Sequence, residues 1–484
     1  MSEVLKPDLC VIGAGSGGLS VAAIAASFGV PVVLIERDRM GGDCLNVGCV
    51  PSKALIAAGE LAQGIRDGAR FGIGRSEPQV NSDPQVNMAR VRDHVRGVIE
   101  AIAPNDSAER FTALGVRVIK AEARFTGPDT VAAGEVVIRA RRFVLATGSR
   151  PSAPPIPGLD QVPYLTNESV FDLSQQPERL LVIGGGPIGA ELAQAHRRLG
   201  AEVAILEAAR LLPRDDPEMA AVLERALLKD GIELHTGIRI ERIEQRDDRV
   251  VVVLRSGDAP ITLEGSHLLV AAGRRPVTEE LGLEAAGIAH DKGGIIVDSG
   301  LRTTNRRVYA IGDCAGPGGG PYKFTHVANY HAGLVIRSAL FRLPVKVDTS
   351  TIPRVTYTDP EIASVGMTEE EARASRTAFR ILRWPVAEND RAQAEHRTAG
   401  HVKALVTRRG KILGCAVAAA QAGDLIVPWA LAMAKRLKVQ DLAGLVFPYP
   451  TLSEVTKRAA VEFLRPSAES PWLRRAIAFG RRFG

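Results

Sequence analysis

The sequence predicts an α/β fold in which one strand–turn–helix–strand unit occurs twice, ahead of an α+β carboxy-terminal domain. Three observations carry the prediction. A chain of 484 residues is too long for one ordinary domain and suggests about three. A glycine pattern between an apolar strand and a helix recurs, at Gly13, Gly15 and Gly18 and again at Gly184, Gly186 and Gly189. In each copy an acid, Glu36 or Glu207, lies 18 residues beyond the third glycine, at the end of a second apolar strand. One such pattern is weak evidence. Two in the same context and register predict two Rossmann-like dinucleotide-binding domains.

Each element has a physical reason. In the first copy the strand 11–13 opens an alanine-rich helix that ends near Gly29, and the strand 32–35 runs into Glu36. In the second, strand 181–183 leads to a helix ending at Gly200 and then to strand 203–206 and Glu207. The first glycine permits the tight turn, the second admits the pyrophosphate to the backbone, and the third lets helix and strand pack closely. The helix N-terminus stabilises the phosphates, and the acid accepts from a ribose hydroxyl. Ala146-Thr147-Gly148 and Ala271-Ala272-Gly273 each follow an apolar strand and read as exits from these domains. The proline-rich run 151–157 is a linker. Near Pro344 the pattern changes to mixed strands and helices.

Composition sets outer bounds. The chain is 45% hydrophobic and 24% charged, an ordinary globular balance. Its net charge of +6 is modest, and no nucleic-acid-binding motif is visible, so a nucleic-acid partner is not expected. Residues 1–7 carry no secretory signal pattern before the apolar run 9–13, and a cytoplasmic location is the expectation. The longest apolar stretch, 412–434, contains Gln421, Asp424 and Pro428 and reads as a strand followed by a helix, not a membrane span. Five cysteines in such a chain are not a disulfide framework, and Cys10, Cys314 and Cys415 read as small packing residues.

Cys44 and Cys49 are different. They lie in Gly41-Gly42-Asp43-Cys44-Leu45-Asn46-Val47-Gly48-Cys49-Val50-Pro51-Ser52-Lys53. Two cysteines five apart at a helix entry could close a small disulfide, and the helix dipole with Lys53 would lower a thiolate pKa. No second cysteine or histidine pair stands at zinc-ligand spacing, and no metal site is expected. With these residues the sequence resembles the class I pyridine nucleotide–disulfide oxidoreductases, which include dihydrolipoamide dehydrogenase, glutathione reductase and mercuric reductase. The resemblance covers roughly residues 8–464.

The resemblance implies a homodimeric FAD enzyme. Residues 1–150 and 277–345 would form the FAD-binding domain, 151–276 an inserted NAD(P)-binding domain, and 346–464 the dimerisation domain, with 465–484 a basic tail. Cys49 would be the charge-transfer thiol beside the flavin and Cys44 the interchange thiol facing the substrate. Residues 303–313 match the second FAD motif, with Asp313 on the ribityl chain. Lys53 and Glu191 match an ion pair near the flavin ring. The residues expected to hold the two nucleotides are Gly13, Gly15, Gly18, Glu36, Gly42, Lys53, Thr147, Gly148, Gly184, Gly186, Gly189, Glu207, Gly273, Asp313 and Thr325. Glu207 can bond a free 2′-hydroxyl and repels a 2′-phosphate, which favours NAD(H) over NADP(H), although Arg210 is near.

One departure bears on the substrate. Disulfide-reducing members carry a histidine before Pro-Thr, with a glutamate five residues later. Here Tyr449 holds that place, Glu454 is intact, and no histidine follows His401. A tyrosine of pKa ~10 is only about 0.1% ionised at pH 7 and is a poor base for a dithiol. Mercuric reductase also carries tyrosine there, and a metal ion needs thiolate ligands, not a base. The segment 479–484, however, has no terminal cysteine pair. The expected activity is NAD(P)H-driven transfer through FAD and the Cys44–Cys49 disulfide to a metal ion or disulfide. Dihydrolipoamide dehydrogenase and a redox sensor or membrane-associated interaction protein are the alternatives. In the tail, Trp472, Ala476, Phe479 and Phe483 form a stripe, and Arg474, Arg475, Arg481 and Arg482 lie off it, as in helices that lie on anionic membranes.

Overall fold

The structure is a computed structural model that describes residues 3–73, 83–257, 259–468 and 470–483. It divides into two compact units: Met1–Gly184, Arg198–Glu202 and Arg239–Val347 form one, and Gly185–Arg197, Val203–Ile238 and Asp348–Gly484 the other.

The first unit is organised by a five-stranded sheet in the order Val308–Ala310, Arg142–Leu145, Leu9–Ile12, Val32–Glu36, Arg117–Lys120, with every neighbour parallel. Apart from the partly exposed edge strand Arg117–Lys120, its strands carry continuous apolar runs because both faces are covered. Leu9, Cys10 and Val11 are fully buried, as are Phe143, Val144 and Leu145. The helix Ser16–Ser27 joins the strands Leu9–Ile12 and Val32–Glu36, and the helix Thr325–Ala339 packs beside it. Glycine makes that approach possible: a Cβ on Gly17 would lie 3.2 Å from the Cβ of Ala328. A second sheet takes the order Glu3–Leu5, Val136–Ile138, Thr130–Ala133, Ala123–Gly127. The strands Arg179–Ile183 and His267–Val270 run parallel. The strands Ser149–Pro151 and Arg274–Pro276 pair as a short antiparallel ribbon.

In the second unit an antiparallel sheet has the order Arg354–Thr356, Glu361–Gly366, Ile412–Ala419, His401–Val406, Arg380–Pro385. Trp429, Val402, Val417 and Val455 are buried in its core. The apolar stretch beginning at Ile412 forms the strand Ile412–Ala419 and the helices Ala422–Leu425 and Val427–Ala434, as its interrupting polar residues suggested. Lys403 is the exception in this core. Its side chain is only 3% exposed, and the ammonium meets Asp216 Oδ2 at 2.8 Å, Glu218 Oε1 at 2.8 Å and Glu369 Oε2 at 2.6 Å. Asp216 also caps the helix Pro217–Lys229, so one buried cation ties the start of that helix to the sheet.

Among the described residues no helix is long and apolar enough to cross a membrane. Of the tail, residues 469 and 484 lie outside the described residues. The helix Pro471–Gly480 presents Trp472, Ile477 and Phe479 to solvent, and Phe483 follows exposed.

Candidate functional site

The first fingerprint turn is built by exclusion of side chains. Gly13 has φ +102°, and a Cβ there would lie 2.4 Å from the carbonyl oxygen of Ala146. A Cβ on Gly18 would lie 1.9 Å from the carbonyl oxygen of Gly13, which no rearrangement of a side chain could relieve. Gly15 faces the second glycine pair instead: a Cβ on Gly42 would meet the Cα of Gly15 at 2.7 Å. These close approaches leave a cleft of about 720 Å³, a size that suits a large nucleotide. Its walls include Gly13, Gly15, Glu36, Gly42, Asp43, Thr147 and Gly148. Gly148 has φ +71° and nothing within 4 Å of a Cβ position, so backbone is offered to the cleft. The residues present therefore fit FAD.

The register acids do more than await a ribose. Glu36 Oε2 accepts from the N–H of Ala14 at 2.6 Å, and Oε1 accepts from Asp38 at 2.8 Å. The second copy repeats this: Glu207 Oε2 accepts from Gly185 at 2.6 Å and Oε1 from Ala209 at 2.8 Å. Each carboxylate thus pins its own glycine turn to the end of the second strand. Gly184 has φ +112°, with a Cβ position 2.7 Å from the Ala271 carbonyl oxygen. Gly186 and Gly273 have nothing within 4 Å of theirs, and Gly189 is buried in the helix Pro187–Arg198. The guanidinium of Arg210 is committed to the backbone, donating to the carbonyls of Leu212 at 3.0 Å, Pro213 at 3.0 Å and Asp215 at 2.6 Å.

Cys44 lies in the short helix Gly42–Asn46, and Cys49 is the first residue of the helix Cys49–Asp67. Both are free thiols here, Cys49 exposed and Cys44 half-buried. Cys49 Sγ lies 3.3 Å from Thr325 Oγ1, and Thr325 is the first residue of the helix Thr325–Ala339. Two helix N-termini therefore meet at one sulfur, the arrangement that favours an anion. The Cys49 thiol is lowered to about 6, first by a hydrogen bond from Cys44, then by Thr325 and the charge of Lys53, against burial and the charge of Asp43. Cys44 moves the other way, because it donates to Cys49 and is partly buried. The pair holds one ready thiolate and one thiol.

Contacts that no motif announced hold this turn and the loops around Thr147 and Asp313. Asp43 Oδ1 pairs with an Arg274 nitrogen at 3.1 Å, and Asn167 Nδ2 donates to the carbonyl of Val47 at 3.0 Å. Ser149 Oγ donates to Asp313 Oδ2 at 2.6 Å. Lys323 donates to the Asp313 carbonyl at 2.9 Å, and His331 Nδ1 accepts from Gly312 N–H at 3.2 Å. Thr147 Oγ1 donates to the Val277 carbonyl at 2.7 Å.

The second unit contains Glu191, Tyr449 and Glu454, whereas Lys53 belongs to the first. Glu191 is 7% exposed and accepts from the N–H of Tyr357 at 3.0 Å. Tyr449 is exposed, and its hydroxyl donates to Asp390 Oδ2 at 2.8 Å. That hydrogen bond raises the phenol's pKa, so the hydroxyl is held as a donor. Glu454 opens the helix Glu454–Val461. Among the described residues no group of three or more His, Cys, Asp or Glu side chains is placed to hold a metal ion.

The geometry has counterparts in known proteins. The family model described as pyridine nucleotide-disulphide oxidoreductase matches residues 7–332, and that family's dimerisation domain matches residues 352–460. The chain is 37% identical to a mercuric reductase of Streptomyces lividans, over 94% of this chain and 96% of that one. It is 35% identical to dihydrolipoyl dehydrogenase 3 of Pseudomonas aeruginosa, over 94% and 97%. Among solved structures it is similar to LpdA of Mycobacterium tuberculosis, with TM-score 0.84, 28% identity, and coverage of 94% of this chain and 99% of that one. A Cu(II) complex of the HOCl-induced flavoprotein disulfide reductase RclA of Escherichia coli aligns with TM-score 0.82, 28% identity, and coverage of 93% and 98%. The two Rossmann-like domains, the cysteine turn and a dimerisation domain that supports a homodimer thus have one explanation: the chain belongs to the pyridine nucleotide–disulphide oxidoreductase family, as an FAD-dependent oxidoreductase that uses a pyridine nucleotide and a cysteine redox centre.

Proposed function

We propose that the enzyme is an NADH-driven reductase whose electrons leave through Cys44 and Cys49 to a soft metal ion or a disulfide. The observation that carries the acceptor choice is the Tyr449 hydroxyl, which donates to Asp390 at 2.8 Å where a disulfide reductase needs a proton-accepting imidazole. A thiophilic divalent ion needs no such base, because it is captured by sulfur. Similarity to mercuric reductases at 37% identity supports the metal. Dihydrolipoamide is the second reading, supported by the 35% identity to a dihydrolipoyl dehydrogenase.

When bound, FAD accepts a hydride from the nicotinamide and delivers two electrons to the cysteine disulfide. The chain's residues do the rest. Gly13, Gly15, Gly18, Gly42, Thr147, Gly148 and Asp313 hold the flavin nucleotide, and Glu36 takes its ribose. Gly184, Gly186, Gly189, Gly273 and Glu207 take the nicotinamide nucleotide. Lys53 and Glu191 orient the ring region, and Thr325 with Lys53 keeps Cys49 as a thiolate while Cys44 meets the acceptor. Tyr449 and Glu454 complete the partner subunit's site. The sum balances for either acceptor. NADH and a proton reduce a disulfide to two thiols, whereas NADH reduces one Hg(II) to the element, or two Cu(II) to Cu(I), and releases a proton.

NAD(H) is preferred because Glu207 guards the ribose and Arg210, the nearest cation after it, is tied to three carbonyls. Five cysteines that form no disulfide framework in the sequence suit the cytoplasm. The exposed stripe of Trp472, Phe479 and Phe483 beside four arginines supports peripheral contact with an anionic membrane. The test is NADH oxidation by the FAD-loaded enzyme with Hg(II), Cu(II), glutathione disulfide and lipoamide in turn. Metal-dependent turnover with little glutathione disulfide or lipoamide reduction is expected, and rapid lipoamide turnover with no metal response would overturn the acceptor assignment.

A further inference from the structure

We propose that Arg274 is a positioning residue for the redox pair, acting through its ion pair with Asp43, the residue before Cys44. This deepens the reading of Cys44 and Cys49 as the redox pair and rests on it. Arg274 lies on the ribbon strand Arg274–Pro276, and its side chain is only 16% exposed. Its single guanidinium serves three separate chain segments. Nε donates to Ser149 Oγ at 2.8 Å and one terminal nitrogen to the Ser149 carbonyl at 3.0 Å. The other terminal nitrogen donates to Asn167 Oδ1 at 3.3 Å, and the Asp43 carboxylate closes the set at 3.1 Å. A planar fork of fixed donors suits this work and an ammonium does not.

Both ends of the turn between the cysteines are thereby held. Asp43 anchors its start through Arg274, and Asn167, oriented by Arg274, donates to Val47 near its end. The nitrogen that pairs with Asp43 also donates to the Ser149 carbonyl, and Nε donates to the Ser149 hydroxyl, which in turn donates to Asp313. One cation thus fixes the spacing between the cysteine turn and the acid assigned to the flavin's ribityl chain. It also compensates a charge. The Asp43 carboxylate opposes a thiolate on the neighbouring cysteines, and reduction of the disulfide creates that thiolate. With Arg274 in place the carboxylate is neutralised, and the dithiol state is favoured.

The test needs no turnover. The FAD-loaded protein and its variants are equilibrated anaerobically in dithiothreitol redox buffers, and Cys44 and Cys49 are trapped by alkylation and counted by mass. Arg274→Gln should shift the equilibrium about tenfold toward the disulfide, equivalent to about 30 mV. Asp43→Asn removes the carboxylate nearest the cysteines, leaves Asp313, 4.0 Å from Arg274 Nε, as the guanidinium's remaining ionic partner, and should shift the equilibrium about threefold the other way. The double variant D43N/R274Q should return to within about threefold of the parent. An Arg274→Gln protein within twofold of the parent would overturn the proposal, as would a double variant displaced as far as Arg274→Gln alone. Should Arg274→Gln fail to fold, Asp43→Asn decides by itself, and no shift refutes the charge pairing. A parent protein that forms no Cys44–Cys49 disulfide in oxidising buffer sinks the redox-pair reading itself. A parent that titrates normally beside unmoved variants sinks only the role of Arg274.

Discussion

Replacing Tyr449 by histidine should create a proton acceptor at a place the fold already supports. The tyrosine hydroxyl is exposed and donates to Asp390 at 2.8 Å, which raises its pKa further above the usual phenol value. Even at pKa ~10, about 0.1% of such a group is ionised at pH 7, whereas about three quarters of an unperturbed histidine is neutral and able to accept. The population of competent base thus differs by nearly 10³, and general-base catalysis is typically worth about 10² to 10⁴. Asp390 and Glu454 remain to orient the introduced imidazole. Tyr449→His should therefore raise kcat/KM for NAD⁺-linked dihydrolipoamide oxidation by about 10² at pH 7, with metal-dependent NADH oxidation unchanged or lower. The assay is steady-state absorbance of NADH on purified, flavin-loaded protein. A parent enzyme that already oxidises dihydrolipoamide within tenfold of the variant would show that Tyr449 does not limit dithiol chemistry.

Four further outcomes follow from the geometry. In the reduced protein, the alkylation rate of Cys49 should rise with pH through about 6, because its thiolate is lost below that value; Thr325→Val should move the midpoint upward, and an unmoved midpoint would deny the Thr325 bond its effect. Gly18→Ala should abolish FAD retention, since a methyl group would sit 1.9 Å from the Gly13 carbonyl oxygen, and normal flavin content in the purified variant would contradict that packing. Lys403→Met should lower unfolding stability by about 3 kcal/mol by stranding the buried Asp216 carboxylate, read as a lower urea midpoint. In the parent, Glu218 is held at about 2, mainly by Arg383 and Lys403. A carboxylate held low when folded stabilises fully above its unfolded pKa of ~4.3, so that contribution should fade as pH falls from about 4.5 toward 2.

The parts of the site legible in the sequence are those whose physics is local. Gly13 and Gly18 stand at fixed spacing because backbone atoms a few residues away, or on the next strand, exclude any Cβ, and the spacing records that exclusion. Glu36 and Glu207 were legible as acids in register, but not as the anchors of Ala14 and Gly185. The cysteine turn announced itself by its glycines and Lys53. Its supports did not: Asn167 is 124 residues from Asp43, and Thr325 is 276 from Cys49. Nothing in a periodic pattern marks a side chain whose partner arrives through the fold. Arg274 was hidden in a short basic run, and Asp390 gave no signal that it would meet Tyr449. Lys403 misleads most, because a lysine in a strand reads as solvent-facing until three carboxylates converge on it.

The most direct test of the central claim is an anaerobic titration of the FAD-loaded enzyme with NADH, with thiols trapped by alkylation at each step. The first equivalent should convert one Cys44–Cys49 disulfide into two alkylatable thiols while the flavin spectrum stays largely oxidised, with a long-wavelength band from the Cys49 thiolate. Bleaching of the flavin by NADH with the Cys44–Cys49 disulfide left intact would contradict it.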